Sequence, residues 1–469
     1  MRHVGALLIT LSGITPAASV FVMGQDVIHQ AGSGAVLAFL AAALLGVSTA
    51  YVYAELASAF PLTGGEYSII GRTMGPVWGM MALGLNLFGG ALGQAVFALG
   101  LAEYLSPVVP VPPDIILPLP GHPHAPVAAL TATLATTVVT LLNIRLNAVV
   151  TGAFLAVELA ALGIMTSLGF LHPHQAIGDV LLHPVTLDGG RLVPTQWSDI
   201  GLAAAAAIFV FNGYGGAVFF GEEMYEARSK LPWVVFWSLA IAVVAETAPI
   251  VAVMVGVADP AAMLAADKPL PTFLTSAGGE IIEKAVSLGV AFAILNALIA
   301  VGLINARQLY CSGRDGVWPK PANRWIEAVH PRFRSPWIAT LVMGAATAAC
   351  CFLPLDLLVM LTSTGIVVIY AGVSVAVMAG RRNRTTAAGE YRMPLYPLAP
   401  VFSLVALAAV VVANLMDPQD GRPSLIANVV VMALCAAYYA LYLRRRGGWR
   451  LRGADGLPLE ALEAEGLGN

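Results

Sequence analysis

Twelve long apolar runs separated by shorter polar connections constrain this sequence more than any single motif does. Their approximate limits are 4 to 28, 34 to 59, 75 to 105, 126 to 143, 148 to 170, 199 to 223, 232 to 257, 281 to 309, 336 to 354, 357 to 380, 398 to 415 and 424 to 443. A helix needs about 20 apolar residues to cross a bilayer, so the spacing predicts an all-α polytopic membrane protein with 12 transmembrane helices. Composition agrees: the 469 residues are 58% hydrophobic and 11% charged, with a mean hydropathy of +0.80, too apolar for a soluble chain of this length. Met1-Arg2-His3 ahead of an apolar run imitates a signal peptide, with Ala17-Ala18-Ser19 as a poor cleavage site. The run continues to Val27, longer than a cleaved segment, and reads as the first span.

Lysine and arginine set the orientation. With a cytoplasmic N-terminus, 20 of the 24 fall inside, among them Arg72, Arg145, Arg307, Arg314, Arg381 and Arg444, and only Arg191, Lys268, Lys284 and Arg422 lie outside. Both termini are therefore expected in the cytoplasm, with the chain in the cytoplasmic (inner) membrane. Spans one to five and six to ten each make five crossings, so the second set runs opposite to the first, an inverted repeat by topology. The expected organisation is a first five-helix repeat over 1–170, an extracytoplasmic loop over 171–198, the inverted repeat over 199–380, two further helices over 381–446 and a cytoplasmic tail over 447–469. The outer connections, Pro107 to Pro126 and Leu171 to Trp197, are proline-rich and read as surface loops. They hold His122, His124, His172, His174 and His183, which read as solvated loop residues, not metal ligands. The four cysteines lack metal or redox spacing, so no metal and no disulfide is expected. The tail, with Asp455, Glu460, Glu463 and Glu465, reads as a mobile end.

Two runs carry helix breakers where breaks are expensive. In hydrocarbon every backbone N–H and C=O needs a partner, so an unwound turn survives only inside protein or beside a wet cavity. Leu11 to Phe21 places Ser12-Gly13-Ile14-Thr15 before Pro16-Ala17. Pro16 suits the first position of a new helix, and Ser12 or Thr15 can cap the N–H groups that follow. Free amides and the helix dipole would then attract an anion such as a carboxylate. A Pro kink in an ordinary spanning helix is the plainer alternative. Phe209-Val210-Phe211-Asn212-Gly213-Tyr214-Gly215-Gly216-Ala217 is a second interruption, and paired interruptions in the two halves of a chain point to a transporter's binding site.

No P-loop, HExxH or GxSxG pattern occurs, so the chain carries no visible machinery for ATP-driven pumping or hydrolysis. It reads as a gradient-driven carrier and not as an enzyme, with no cofactor and no nucleic-acid partner. Glu158 and Glu246 lie near the middle of apolar runs, where a charge costs about 2.5–3.5 kcal/mol. Each reads either as a proton site or as a neutral carboxyl hydrogen-bonded to a neighbouring helix. Asn86, Gly90, Gly93, Gln94 and Phe97 form a stripe of small and amide residues that lines a polar path or packs closely against another helix, and Asn296 is similar. Tyr214 suits a lid over a small substrate or a packing contact. Glu222 and Glu223 precede Arg228 and Lys230, and either pair with them at the interface or hold an inner gate closed.

Several segments together resemble the amino acid-polyamine-organocation (APC) superfamily of secondary transporters. They are Tyr53-Ala54-Glu55-Leu56 with Phe60-Pro61-Leu62-Thr63-Gly64-Gly65-Glu66-Tyr67, then Phe211-Asn212-Gly213-Tyr214 leading to Glu222-Glu223, and finally Asn305-Ala306-Arg307-Gln308-Leu309-Tyr310 with Arg314-Asp315-Gly316-Val317-Trp318-Pro319. The resemblance covers about 4 to 380. It implies a LeuT-like fold in which spans 1, 2, 6 and 7 rock against a scaffold built largely on spans 3, 4, 8 and 9. It further implies that a substrate carboxylate binds N–H groups at the first break and the amine faces carbonyls of both breaks. By position this nominates Ser12, Gly13, Ile14, Thr15, Pro16, Ala17, Phe209, Asn212, Gly213, Tyr214 and Gly215, with Gln94 beside them. Some sodium-independent members carry a lysine in span five, and the matching position here is Glu158. The expectation is a permease for a small, neutral amino acid, working by alternating access and coupled to protons through Glu158 or Glu246. A polyamine or amine permease, an uncoupled amino-acid exchanger and a membrane sensor are the alternatives. The bilayer and a small-molecule substrate are the expected partners.

Overall fold

The computed structural model describes residues 2–105, 116–119, 122–142, 144–418, 421–446 and 451. The acidic tail residues lie outside the described residues. The described chain is predominantly helical. In order it forms α1 (His3–Ile14), α2 (Pro16–Ala18), a π-helical turn Ser19–Met23, α3 (Gly24–Ala31), α4 (Ala35–Ala59), α5 (Glu66–Met74) and α6 (Pro76–Leu105). A hairpin of β1 (Ile116–Leu119) and β2 (His122–Pro126) precedes α7 (Val127–Thr140) and α8 (Ile144–Leu171). Next come α9 (Ile177–Leu182), β3 (Val185–Asp188), β4 (Arg191–Pro194), α10 (Trp197–Val210), a 3-10 helix Tyr214–Glu223 and α11 (Ala227–Gly256). The remainder is α12 (Pro260–Ala265), α13 (Pro269–Gly278), α14 (Glu280–Arg314), α15 (Lys320–Ile326), α16 (Trp337–Cys350), α17 (Leu355–Arg382), α18 (Leu398–Met416) and α19 (Gly421–Tyr438).

Among the described residues nine stretches are long and apolar enough to cross a membrane, the first of them the whole of His3–Ala59. That stretch folds back on itself at Gly32–Gly34, where Gly32 takes a positive φ of 57°. The runs expected over 126 to 143 and 336 to 354 are shorter as helices, Val127–Thr140 and Trp337–Cys350. At 1.5 Å per residue, 14 residues reach only about 21 Å. The connection expected as loop over 171–197 instead carries α9 and the β3–β4 hairpin, which docks on the α3–α4 turn through mutual bonds between Ser33 and Val185.

The core runs through α1, α4, α6, α8, α11 and α14 and is packed from small and aliphatic side chains. α11 lies against α4 and α8, and α14 against α6 and α8. Without water to drive helices together, close packing of such residues and interhelical hydrogen bonds hold the bundle. Exposed Leu, Val and Ile on α8, α16, α18 and α19 leave an apolar outer surface suited to lipid.

Candidate functional site

Both expected interruptions are present, and they touch. α1 ends at Ile14, Thr15 turns left-handed at φ 51°, and Pro16 starts the next helical segment. The break is one residue wide, narrower than the Ser12 to Thr15 turn expected, because Pro16 both breaks the ladder and is preset for a helix start. On the other side α10 ends at Val210 and Gly213 takes φ 121° before the 3-10 segment. A Cβ on Gly213 would lie 3.0 Å from the Ile14 side chain and 3.1 Å from its backbone. The second break therefore needs glycine both for its backbone and for this crossing.

The orphan groups at the first break find partners within the protein. Ser19 donates its hydroxyl to the Ile14 carbonyl at 2.8 Å. Neither Ser12 nor Thr15 caps the new helix: Ser12 Oγ donates to the Thr151 carbonyl at 3.3 Å and Thr15 Oγ1 to the Ala293 carbonyl at 3.1 Å. The group at this helix start is the Glu158 carboxyl, whose Oε1 accepts the Ala17 N–H at 2.9 Å and whose Oε2 faces Asn296 Nδ2 at 3.4 Å. Glu246 on α11 is fully buried, with neither oxygen hydrogen-bonded among the described residues.

A cavity of about 1020 Å³ opens beside the crossing of the two breaks. Gly13, Ile14, Phe209, Asn212, Gly213 and Gly215 line it, bringing together half of the nominated residues. Ser12, Thr15, Pro16, Ala17 and Tyr214 sit behind its wall. Tyr214 is 1% exposed, its hydroxyl bonded to Thr49 and its ring packed on Tyr53 and Tyr370. Gln94 is not among the lining residues. Its amide ties three helices, donating to the Leu298 carbonyl at 2.8 Å and accepting from Thr347 at 3.0 Å and Asn305 at 3.4 Å.

Two lining groups stand outside the sequence expectation. Tyr370 on α17 donates to Asn212 Oδ1 at 2.7 Å, holding the second break. Glu66, first residue of α5, accepts from Tyr53 at 3.0 Å and Asn86 at 3.1 Å. Glu66 lies outside the apolar runs, where a carboxyl gives no warning. Glu66 stood in the family-like segment 60–67 without being nominated, and Gly65 at φ 61° lets the chain turn inward beneath Phe219.

Ion pairs cluster close in sequence to the lining residues Tyr53, Phe219 and Gln308. Arg314 makes a two-point pair with Glu222 at 2.6 and 2.8 Å, Arg307 pairs with Glu223 at 2.7 Å, and Arg381 grips Glu55 at 2.7 and 2.6 Å. Tyr67 donates to Asp315 at 2.9 Å in the same region. Glu222 and Glu223 thus both pair with arginines of α14, and Lys230 faces Glu226 at 3.9 Å. Asp26, His29, Asp267 and Asp417 line the cavity at its other reaches.

Comparison with known proteins places this architecture. A family model described as amino acid permease matches residues 4–435. The chain is similar to an uncharacterized transporter of Mycobacterium tuberculosis, 29% identical over 350 residues that cover 74% of this chain and 73% of the relative. It is also similar to a branched-chain amino acid permease of Bacillus subtilis, 24% identical across 95% of this chain and 93% of the relative. A methylthioribose transporter of the same organism is 22% identical across 86% of each chain.

Proposed function

Since this chain belongs to the amino acid permease family of the APC superfamily, we propose that it is a secondary active transporter that moves a small, neutral amino acid across the cytoplasmic membrane by alternating access. One observation carries the reading: two broken helices meet at Ile14 and Gly213, and both breaks line one large cavity. Irregular backbone at membrane depth beside a cavity is the arrangement that binds substrate in carriers built on discontinuous helices. In this reading the chain makes twelve crossings with both termini cytoplasmic, the first ten as two inverted sets of five. Glu222, Glu223 and Glu55 with their arginines close the inner gate, and the cavity faces outward.

Protons are the proposed coupling ion. Glu158 and Glu246 are both fully buried carboxyls, and among the described residues no lysine or arginine makes an ion pair with either. A carboxyl buried without a cationic partner calls for a proton or a bound cation. Glu158 also caps the helix segment that starts at the first break, so its charge is linked to the position of α1 and α2. The family and these relatives are transporters and not enzymes.

The test is uptake of radiolabelled neutral amino acids into proteoliposomes. Saturable uptake stimulated by an inward proton gradient is expected. A chain that moves none of them under any gradient, or only in the presence of sodium, overturns the reading or its coupling ion respectively.

A further inference from the structure

The connection between α14 and α16 carries charge that the fold does not use. It holds Lys320, Arg324, Arg332 and Arg334, all exposed, and Glu327 is the one acid between Lys320 and Trp337. Among the described residues no carboxylate forms an ion pair with any of the four cations. Arg332 lies over the Phe333 ring, 5.7 Å from its centroid, which leaves the edge of the guanidinium open to an acceptor.

α15 shows these charges on a defined side. At about 3.6 residues per turn, Lys320, Pro321, Arg324 and Trp325 share one face, and Ala322, Asn323 and Ile326 share the other. The first face is exposed throughout, with Trp325 at 69%. The second is anchored to the end of α14. A Cβ on Gly313 would lie 2.8 Å from the Ile326 side chain, and the Asn323 amide both accepts from the Trp318 N–H at 3.0 Å and donates to the Trp318 carbonyl. The Trp318 indole N–H in turn donates to Ser312 Oγ at 2.8 Å. The basic, aromatic face is therefore the one that α15 turns away from the bundle. α14 is long and apolar enough to cross a membrane, and α16 packs back along it, with Ala339 and Met343 clustered on Leu309. α15 thus sits where two apolar helices reach their shared end, and apolar side chains are exposed beside its charges, Val329 at 47% and Trp337 at 37%.

Tryptophan settles at the headgroup level of a bilayer, where its ring meets an apolar layer and its N–H stays wet. Lysine and arginine at that level attract anionic lipids, each by about fivefold. We propose that α15 and the turn after it form a docking surface for anionic phospholipid headgroups, with Lys320, Arg324, Arg332 and Arg334 meeting the phosphates and Trp325 seated among the headgroups. The proposal rests on the reading of α14 and α16 as membrane helices and not on the identity of the transported molecule. Because α15 is bonded through Trp318 to Ser312, two residues before Arg314, lipid held on this face braces the end of α14 that carries one half of the Glu222 pair.

The experiment reconstitutes the full-length chain in phosphatidylcholine vesicles that contain either brominated phosphatidylglycerol or brominated phosphatidylcholine, whose bromines quench tryptophan on contact. The difference in fluorescence between wild type and Trp325→Phe isolates Trp325. Brominated phosphatidylglycerol is expected to quench Trp325 with an apparent affinity about tenfold or more above that of brominated phosphatidylcholine, a preference that weakens in high salt. Changing Lys320, Arg324, Arg332 and Arg334 together to glutamine should bring the two lipids to within about twofold of each other, while changing Arg444, Arg445 and Arg446 to glutamine should leave the preference in place. A melting curve for each variant confirms folding. Equal quenching by the two lipids in wild type, no quenching of Trp325 by either, or a preference that survives loss of the four charges overturns the proposal. A preference that appears only when residues 452–469 are deleted overturns it too, and assigns the face to the chain's own Asp455, Glu460, Glu463 and Glu465.

Discussion

Glu222 holds two elements with one carboxylate, and its loss has a calculable effect on the proposed inner gate. Arg314 on α14 donates to both of its oxygens, and the Thr63 N–H reaches Oε1 at 3.2 Å from the α4–α5 connection. The two paired side chains are 11% and 12% exposed, so the pair is nearly dry. Removing one partner of a buried pair costs about 3–5 kcal/mol, and the remaining access to water at this rim favours the lower figure, about 3 kcal/mol. In a carrier with two facing states that cost falls wholly on the state in which the pair is made. At about 1.4 kcal/mol per factor of ten, Glu222→Gln shifts the ratio of the two states by about 100-fold toward the open inner end. A native thiol reports the shift: Cys311, one turn before Arg314, is fully buried. With Cys350, Cys351 and Cys435 replaced by alanine, Glu222→Gln is expected to speed labelling of Cys311 by an impermeant maleimide about 100-fold in inside-out vesicles. Unchanged labelling together with a lowered melting temperature would show that the pair braces a static fold and gates nothing.

Gly213→Ala places a side chain at φ 121° and against the Ile14 backbone, and should lower the melting temperature and abolish transport together, at a cost of about 1–3 kcal/mol. Gln94→Leu removes a tie between α6, α14 and α16; it should reduce stability by about 1–3 kcal/mol while leaving ligand affinity within a factor of three, which separates a brace from a binding group. Glu66 carries a pH signature. Its carboxyl is raised from 4.5 to about 7 in the folded chain, so the folded state holds more protons than the unfolded state between those values and stability must fall as pH rises through that window. The loss is about 3 kcal/mol, and melting curves between pH 4.5 and 7.5 should show a slope that Glu66→Gln flattens.

The helical runs and both breaks were legible because Gly213, Pro16 and their neighbours are out of place in apolar stretches, where a break must have a reason. Which side of each break faces the cavity was less legible. Gly13 and Ile14 line it, but Ser12 and Thr15 spend their hydroxyls on α8 and α14, and periodicity names a face without naming the neighbour it meets. The same limit applies to Gln94, whose stripe of small residues reads alike for a pore and for a packed interface. Glu222 and Glu223 were visible as charges, yet their partners lie 92 and 84 positions away on α14, beyond any local pattern. Glu66, though part of the family-like segment, was not nominated because a carboxyl outside the apolar runs looks solvated, and only the fold carries it inward.

The most direct test of the account compares net uptake with exchange in wild type and Glu158→Gln, using proteoliposomes with the substrate found in the amino-acid screen. If Glu158 is the coupling carboxyl capping the first break, Glu158→Gln should lose at least tenfold of the uptake driven by an inward proton gradient while exchange against preloaded substrate persists. Equal gradient-driven uptake by both proteins would contradict the account and leave Glu158 a structural cap.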